Sequence, residues 1–363
     1  MELRKRSINR QSSVKECQNK KQKRSQSHLS FEISQIEDLS NEIWLDLFSY
    51  FDGQSLIKSF SPLNRSIESL LSDYHLSIHF HFKSSEICLP KQFHSNQVVS
   101  LTLNYKSIHP NEFIDIRSFA RLRSLSLQFP NEYQLERTSQ FHFDDLSQVS
   151  IQSKCARFLT RILCIYYPNI KQMRIDSMNK QFLLKSSQFT NQISQIENLV
   201  LLGTMKFVQL FRFWSFVPNL RCFSLLNGGI HQCDYWLDEN LCLNKTFPRN
   251  LSSIHLKIFD EDLSFSNFEK LIPKSIRCIK LTGLINDDDL NDYICSNNWH
   301  RLISNCSNEL QSIQFNLSSH FDPNDSVGLQ KILSRFRKDS LFRHLNIQSR
   351  NFHITIKGFV YKN

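Results

Sequence analysis

Apolar positions along this chain fall into two regimes. Between residues 36 and 74 they keep helical spacing. Trp44, Leu47, Phe48 and Phe51 stand at i, i+3, i+4 and i+7, which predicts one amphipathic helix. Asp38 or Ser40 can open it, and Asp52-Gly53 supplies a stop. Leu56, Ile57 and Phe60 predict a short second helix that Pro62 ends, and Leu63, Ile67, Leu70 and Leu71 predict a third. Three such helices bury a very small core, so the unit needs a neighbouring surface to be stable.

From residue 98 a different pattern takes over: apolar-x-x-apolar-x-apolar, repeated. Val98/Leu101/Leu103, Leu122/Leu125/Leu127, Leu146/Val149/Ile151, Ile170/Met173/Ile175 and Ile196/Leu199/Leu201 are its first five copies. Leu220/Phe223/Leu225, Leu251/Ile254/Leu256, Ile276/Ile279/Leu281, Leu310/Ile313/Phe315 and Phe342/Leu345/Ile347 follow. The first five intervals are 24, 24, 24, 26 and 24 residues, and the later ones run from 25 to 34. One match means nothing, but this periodicity is the mark of a stacked repeat. Each copy predicts one short strand whose last two apolar residues point inward. Phe158, Leu159, Ile162, Leu163 and Tyr166 predict a helical return between strands, as do Phe207, Leu210, Phe211 and Trp214. No single repeat covers its own apolar face, so stacking must do so. At roughly 1.5–3 kcal/mol for each large side chain fully buried, neighbour contacts dominate the stability of such a stack.

Composition modifies this picture at the N-terminus. The net charge is +10 over 363 residues. Within residues 1–30 nine lysines and arginines face only Glu2 and Glu16, so most of the excess lies there. This polar, basic stretch predicts a disordered tail over residues 1–33. Its clusters Arg4-Lys5-Arg6 and Lys20-Lys21-Gln22-Lys23-Arg24 have the form of a bipartite nuclear import signal, or else of a plain solvated tail. The rest of the chain is close to neutral, which argues against a nucleic-acid-binding body; any such contact is expected only from the tail.

Ten cysteines are scattered without a CxxC pair, and no apolar leader precedes them. Free thiols and an intracellular location, nuclear or cytoplasmic, are expected. No apolar run nears the ~20 residues needed to span a bilayer, so no membrane partner is expected. The sequence contains no GxxxxGK[ST], GxSxG or HExxH. Asp287-Asp288-Asp289 lacks the glycine and closing glutamate of a calcium loop. No catalytic, metal or cofactor site is predicted, and the chain reads as a non-enzyme.

Residues 39–71 resemble an F-box. That family's pattern runs from a Leu-Pro start through an amphipathic helix and an acidic turn to a short leucine-rich helix and a closing helix. Leu39, Glu42, Ile43, Leu47, Phe48, Tyr50, Phe51, Asp52, Leu56 and Leu63 match it. Ser40 stands where the family has proline, and Ile67 replaces an aromatic residue. The repeats are similar to leucine-rich repeats, although Lys106, Pro130, Thr204, Gly228, Leu284 and Ser318 occupy the usual asparagine position.

The resemblance implies an α/β chain: an F-box over residues 34–74, then a curved solenoid of about ten repeats over 75–363. Parallel strands would line its concave face, with helices or irregular returns on the convex face. It further implies a substrate-recognition subunit of an SCF-type ubiquitin ligase. The F-box would dock on a Skp-family adaptor, and through it on a cullin, by way of Leu39, Ile43, Trp44, Leu47, Phe48, Leu56, Ile57 and Leu63. The repeats would hold a protein target. Alternative readings stay open: the helices only cap the solenoid, the repeats are a binding scaffold without a ligase, or the basic tail serves a nuclear RNA- or chromatin-associated factor.

A target would meet the outward strand positions, which include Arg174, His255 and Lys280, and the second position of each repeat, which holds Arg123, Lys171, Arg221, Arg277 and Arg343. Together these predict a mildly cationic groove for an acidic or phosphorylated partner, against the alternative of an ordinary solvated face.

Overall fold

The computed structural model describes residues 39–61, 63, 65–73, 76–82, 89–91, 93–154, 161–182, 193–231, 247–258, 264–285, 292–293, 295–306, 309–320, 334, 346–350 and 353–361. The basic tail, Asp38, the Asp287–Asp289 run and Arg343 lie outside them. The chain divides into two compact units, Met1–Tyr50 and Phe51–Asn363, a boundary that falls inside residues 34–74.

Within the first unit the described part is a helix, α1 (Asn41–Phe48), with Ser40 extended at its start. Trp44 and Phe48 are buried, their ring centroids 5.5 Å apart. The helix stops at Phe48, so Phe51 falls beyond it, short of the sequence expectation.

The second unit opens with α2 (Gly53–Phe60) and α3 (Arg65–Leu71). Asp52, expected as a stop, is the N-cap of α2: its carboxylate accepts from the N–H groups of Gln54 and Ser55, both at 3.0 Å. Strand β1 (Ile78–Phe82) follows. The repeat pattern did not predict it, because its inward residues are set by Ile78, Phe80 and Phe82 outside the six-residue motif.

Strands β2 (Val98–Asn104), β3 (Ser124–Gln128), β4 (Gln148–Ser153), β5 (Gln172–Gln181) and β6 (Asn198–Lys206) come next in chain order. They are joined by β7 (Cys222–His231), β8 (Ser253–Ile258), β9 (Cys278–Ile285) and β10 (Ser312–His320). From β1 to β10 every strand pairs in parallel with the next. The result is an α/β architecture built on a ten-stranded parallel sheet, the order that a solenoid of stacked repeats requires.

Register follows the sequence motif. The fourth motif position of one repeat sits beside the fourth of the next, from Leu101 through Leu125, Val149, Met173 and Leu199 to Ile313. The sixth positions do the same, from Leu103 and Leu127 to Leu281 and Phe315. Both ladders are buried. A slip of one residue would turn each ladder toward solvent, so burial fixes the register.

Returns between strands vary. Residues Phe207–Trp214 form the predicted helix, α5 in chain order after α4 (Glu132–Ser139). Of the return predicted around Phe158–Tyr166, the described part, Ile162–Tyr166, is a π-helix. Helices α6 (Phe265–Lys270) and α7 (Ser296–Asn305) flank β9. Trp299 of α7 stacks on Phe315 at 5.5 Å, meets Phe265 edge-on at 5.0 Å, and donates its indole N–H to the Tyr293 carbonyl at 2.7 Å. In the turn after β2 the Asn104 side chain accepts from the Lys106 N–H at 3.0 Å.

The C-terminal end departs from expectation. The tenth motif was expected to add a parallel strand beside β10. Instead β12 (His353–Tyr361) pairs antiparallel with β10, and β11 (Asn346–Arg350), which carries Ile347, pairs only with β12. Two residues separate β11 from β12, and so short a link joins antiparallel neighbours, never parallel ones.

Candidate functional site

Two surfaces carry the residues expected to bind partners. The first is the helical segment. Trp44 and Phe48 in the first unit and Leu56 in the second are buried, at 2%, 0% and 0% exposure. Leu39, Leu47 and Ile57 are half-buried. Ile43 and Leu63 stay about half exposed, and Tyr50 is 86% exposed, although the sequence reading did not single it out as a contact. Burial works against the Asp52 charge, but the Ser55 hydroxyl and the N–H groups of Ser55 and Gln54 outweigh it and hold its pKa below the usual carboxylate range.

α2 and α3 are tied to the sheet. Gly53 lies against the ring of Phe80, leaving no room for a side chain. The buried Gln97 amide, just before β2, donates to the carbonyls of Leu71 and Asp73 at 2.9 and 2.7 Å. Its oxygen accepts from the His94 N–H at 2.6 Å. All three bonds satisfy a side chain that would otherwise be costly to bury.

The second surface belongs to the repeats. Arg174, His255 and Lys280 occupy one register column of the outward sheet face, with His255 and Lys280 directly paired. Burial pushes the His255 imidazole down to about 4, helped by the neighbouring Lys280 charge, so the ring is neutral at physiological pH. Its Nε2 lies 3.4 Å from the Thr282 hydroxyl.

Arg123, Lys171, Arg221 and Arg277 lie apart from that column, in the row that immediately precedes the strands. Backbone hydrogen bonds run along this row: Arg123 accepts from Ser147, Lys171 from Glu197, Arg221 from Ser252 and Arg277 from Gln311. All four side chains are exposed.

The row is less cationic than its basic residues alone suggest. Glu197 stands between Lys171 and Arg221, 3.9 and 3.4 Å from them, and Glu309 meets Arg277 at 2.8 Å. Sequence reasoning missed both acids. Glu197 holds the second position of its own repeat and could have been seen there. Arg123 and Arg174 have no side-chain partner among the described residues.

Burial pushes the Cys164 thiol up to about 11, and desolvation also raises that of the exposed Cys222, so neither is a ready thiolate at neutral pH. Among the described residues no three His, Cys, Asp or Glu side chains cluster as a metal site would, and no helix is long and apolar enough to cross a membrane. No protein-family model matches the chain, and no curated protein matches it.

Proposed function

We propose that the chain is the substrate-recognition subunit of an SCF-type ubiquitin ligase, in which residues 39–71 dock on a Skp-family adaptor and the repeats hold a protein target. One observation carries this reading. Of the six large apolar or aromatic side chains that stay exposed among the described residues, Ile43, Tyr50 and Leu63 fall within this one short segment. Ile43 and Tyr50 in the first unit and Leu63 in the second each leave apolar surface that a partner could cover. They coincide with the positions of the F-box pattern, and the parallel sheet offers a broad polar face for a target. The adaptor supplies the link to a cullin, and no step requires a cofactor in this chain.

Co-purification of the full chain with a Skp-family adaptor from its own proteome tests the proposal. Ile43→Asp with Leu63→Asp is the informative variant, because both side chains are already exposed and the core is spared. Wild type should retain the adaptor and the variant should lose it, with unchanged thermal melting. A wild-type chain that binds no adaptor favours a second reading, a repeat scaffold without a ligase. The Gln97 clasp on α3 and the Gly53–Phe80 contact give that reading its support, since both make α2 and α3 a lid on the first strand of the stack.

A further inference from the structure

Three depressions lie along the N-terminal edge of the parallel sheet. The first, about 360 Å³, is lined by side-chain amides and by Lys171, Glu197 and Arg221. A second, about 450 Å³, shares Arg221 and Asn250 with it and adds Arg249, Arg277 and Glu309. The third is about 710 Å³, shares Arg249 and Ser275 with the second, and is predominantly apolar. Its floor includes Phe247, Pro248, Ile272, Pro273 and Leu302. Shared walls make the three one continuous trough, polar at the β5 end and apolar between α6 and α7.

Charge along the trough is one-sided where it is not already paired. Glu197 and Glu309 are held by Lys171, Arg221 and Arg277. Glu269 is held by both nitrogens of the Arg301 fork, at 2.9 to 3.1 Å, and by the Asn305 amide at 3.0 Å. Every acid in the lining therefore has a partner. Arg249 and Lys274, on the rim of the apolar part, make no side-chain bond or ion pair among the described residues, and both are exposed.

We propose that this trough binds an extended acidic segment of a protein, with its carboxylates on Arg249 and Lys274 and an apolar side chain seated among Phe247, Ile272 and Pro273. Five strand spacings of ~4.8 Å separate β5 from β10, a span of about 24 Å. An extended chain at ~3.3 Å per residue covers it with about seven residues. The side-chain amides at the β5 end, where the Asn219 amide already donates to Gln195 at 2.9 Å, offer both donors and acceptors to the backbone of such a segment. This names the class of target for the recognition role proposed above and rests on that reading only in calling the occupant a target; the docking itself requires no adaptor.

The test is selection of a random dodecapeptide display library on the full chain, with Arg249→Glu plus Lys274→Glu as the counter-target. Both side chains are exposed, and matching far-UV circular dichroism would show the variant folded. The expected yield is peptides with several Asp or Glu beside a Leu, Ile or Phe. Synthetic versions of them should bind the variant at least about tenfold more weakly and lose affinity with added salt. They should bind unchanged to Arg123→Glu plus Arg174→Glu, which alters cations outside the trough, and to the Ile43→Asp, Leu63→Asp chain. Selection that enriches no peptide over the counter-target, or enriches peptides without acids, overturns the proposal. Loss of adaptor binding with intact peptide binding would instead dismiss the ligase role alone.

Discussion

A methyl group added at Gly53 would sit 2.3 Å from Cζ of the Phe80 ring. This contact fixes the start of α2 on the first strand of the sheet. Phe80 is itself held by Phe82, stacked at 5.5 Å, and by Phe93, edge-on at 5.5 Å, so the ring cannot turn aside. Gly53→Val should therefore destabilise the chain by about 1–3 kcal/mol, the usual cost of forcing extra atoms into a packed site. Urea denaturation would measure it. An unchanged midpoint would mean that α2 is not docked on β1.

Gly283 is constrained by backbone and not by a ring. Its φ is +128°, and an added Cβ would lie 1.9 Å from the carbonyl oxygen of Ile258 on the neighbouring strand. Gly283→Ala must both strain the backbone and push β9 from β8. A loss of about 2–4 kcal/mol is expected, with the largest loss of hydrogen-exchange protection confined to those two strands.

Trp299 anchors the C-terminal repeats through Phe265, Phe315 and the Tyr293 carbonyl. Trp299→Ala should cost about 3–5 kcal/mol. Trp299→Phe should recover most of the packing but leave the Tyr293 carbonyl without its donor, an intermediate loss of about 1–2 kcal/mol. Thermal melts of the two variants, compared with wild type, separate packing from the hydrogen bond.

Stability should also fall on mild acidification through His255. Its folded pKa is about 4, below the ordinary value of 6.5, so below pH 6.5 the unfolded chain binds a proton that the folded chain refuses. Stability present above pH 6.5 is thus lost as the pH drops toward 4. Solvent screening at the half-buried ring limits the effect to roughly 1 kcal/mol. His255→Gln should flatten this part of the profile in urea titrations at pH 7 and pH 5. An equal drop in wild type and variant would assign the acid sensitivity to other groups.

The repeat was legible in sequence because its signal is local. Leu101 and Leu125 occupy equivalent motif positions, and burial forces equivalent positions into one ladder. β12 was equally open to view: His-Ile-Thr-Ile-Lys alternates as a strand does, but it lies outside the six-residue motif. The trough was not legible. Lys171 and Glu197, 26 positions apart, meet only because they stand at equivalent places in adjacent layers, and Arg249 joins Arg221 and Arg277 across a spacing of different length. Pairings across layers depend on loop lengths, which a motif scan treats as gaps. For the helices, spacing predicted their existence, but which apolar residues face inward (Trp44, Leu56) or outward (Ile43, Leu63) depends on surroundings that the spacing does not encode.

The antiparallel strand β12 has a consequence for how such a chain can change length. Between β2 and β10 every layer presents the same parallel edge to the next, so a duplicated stretch of about 24 residues could be spliced into the middle and find both neighbours ready for it. Beyond β10 that interchangeability ends. β12 runs the other way and sits between β10 and the outermost strand β11, so a layer spliced in directly after β10 would gain an antiparallel neighbour. An extra parallel layer therefore fits the seams between parallel strands but not the seam between β10 and β12.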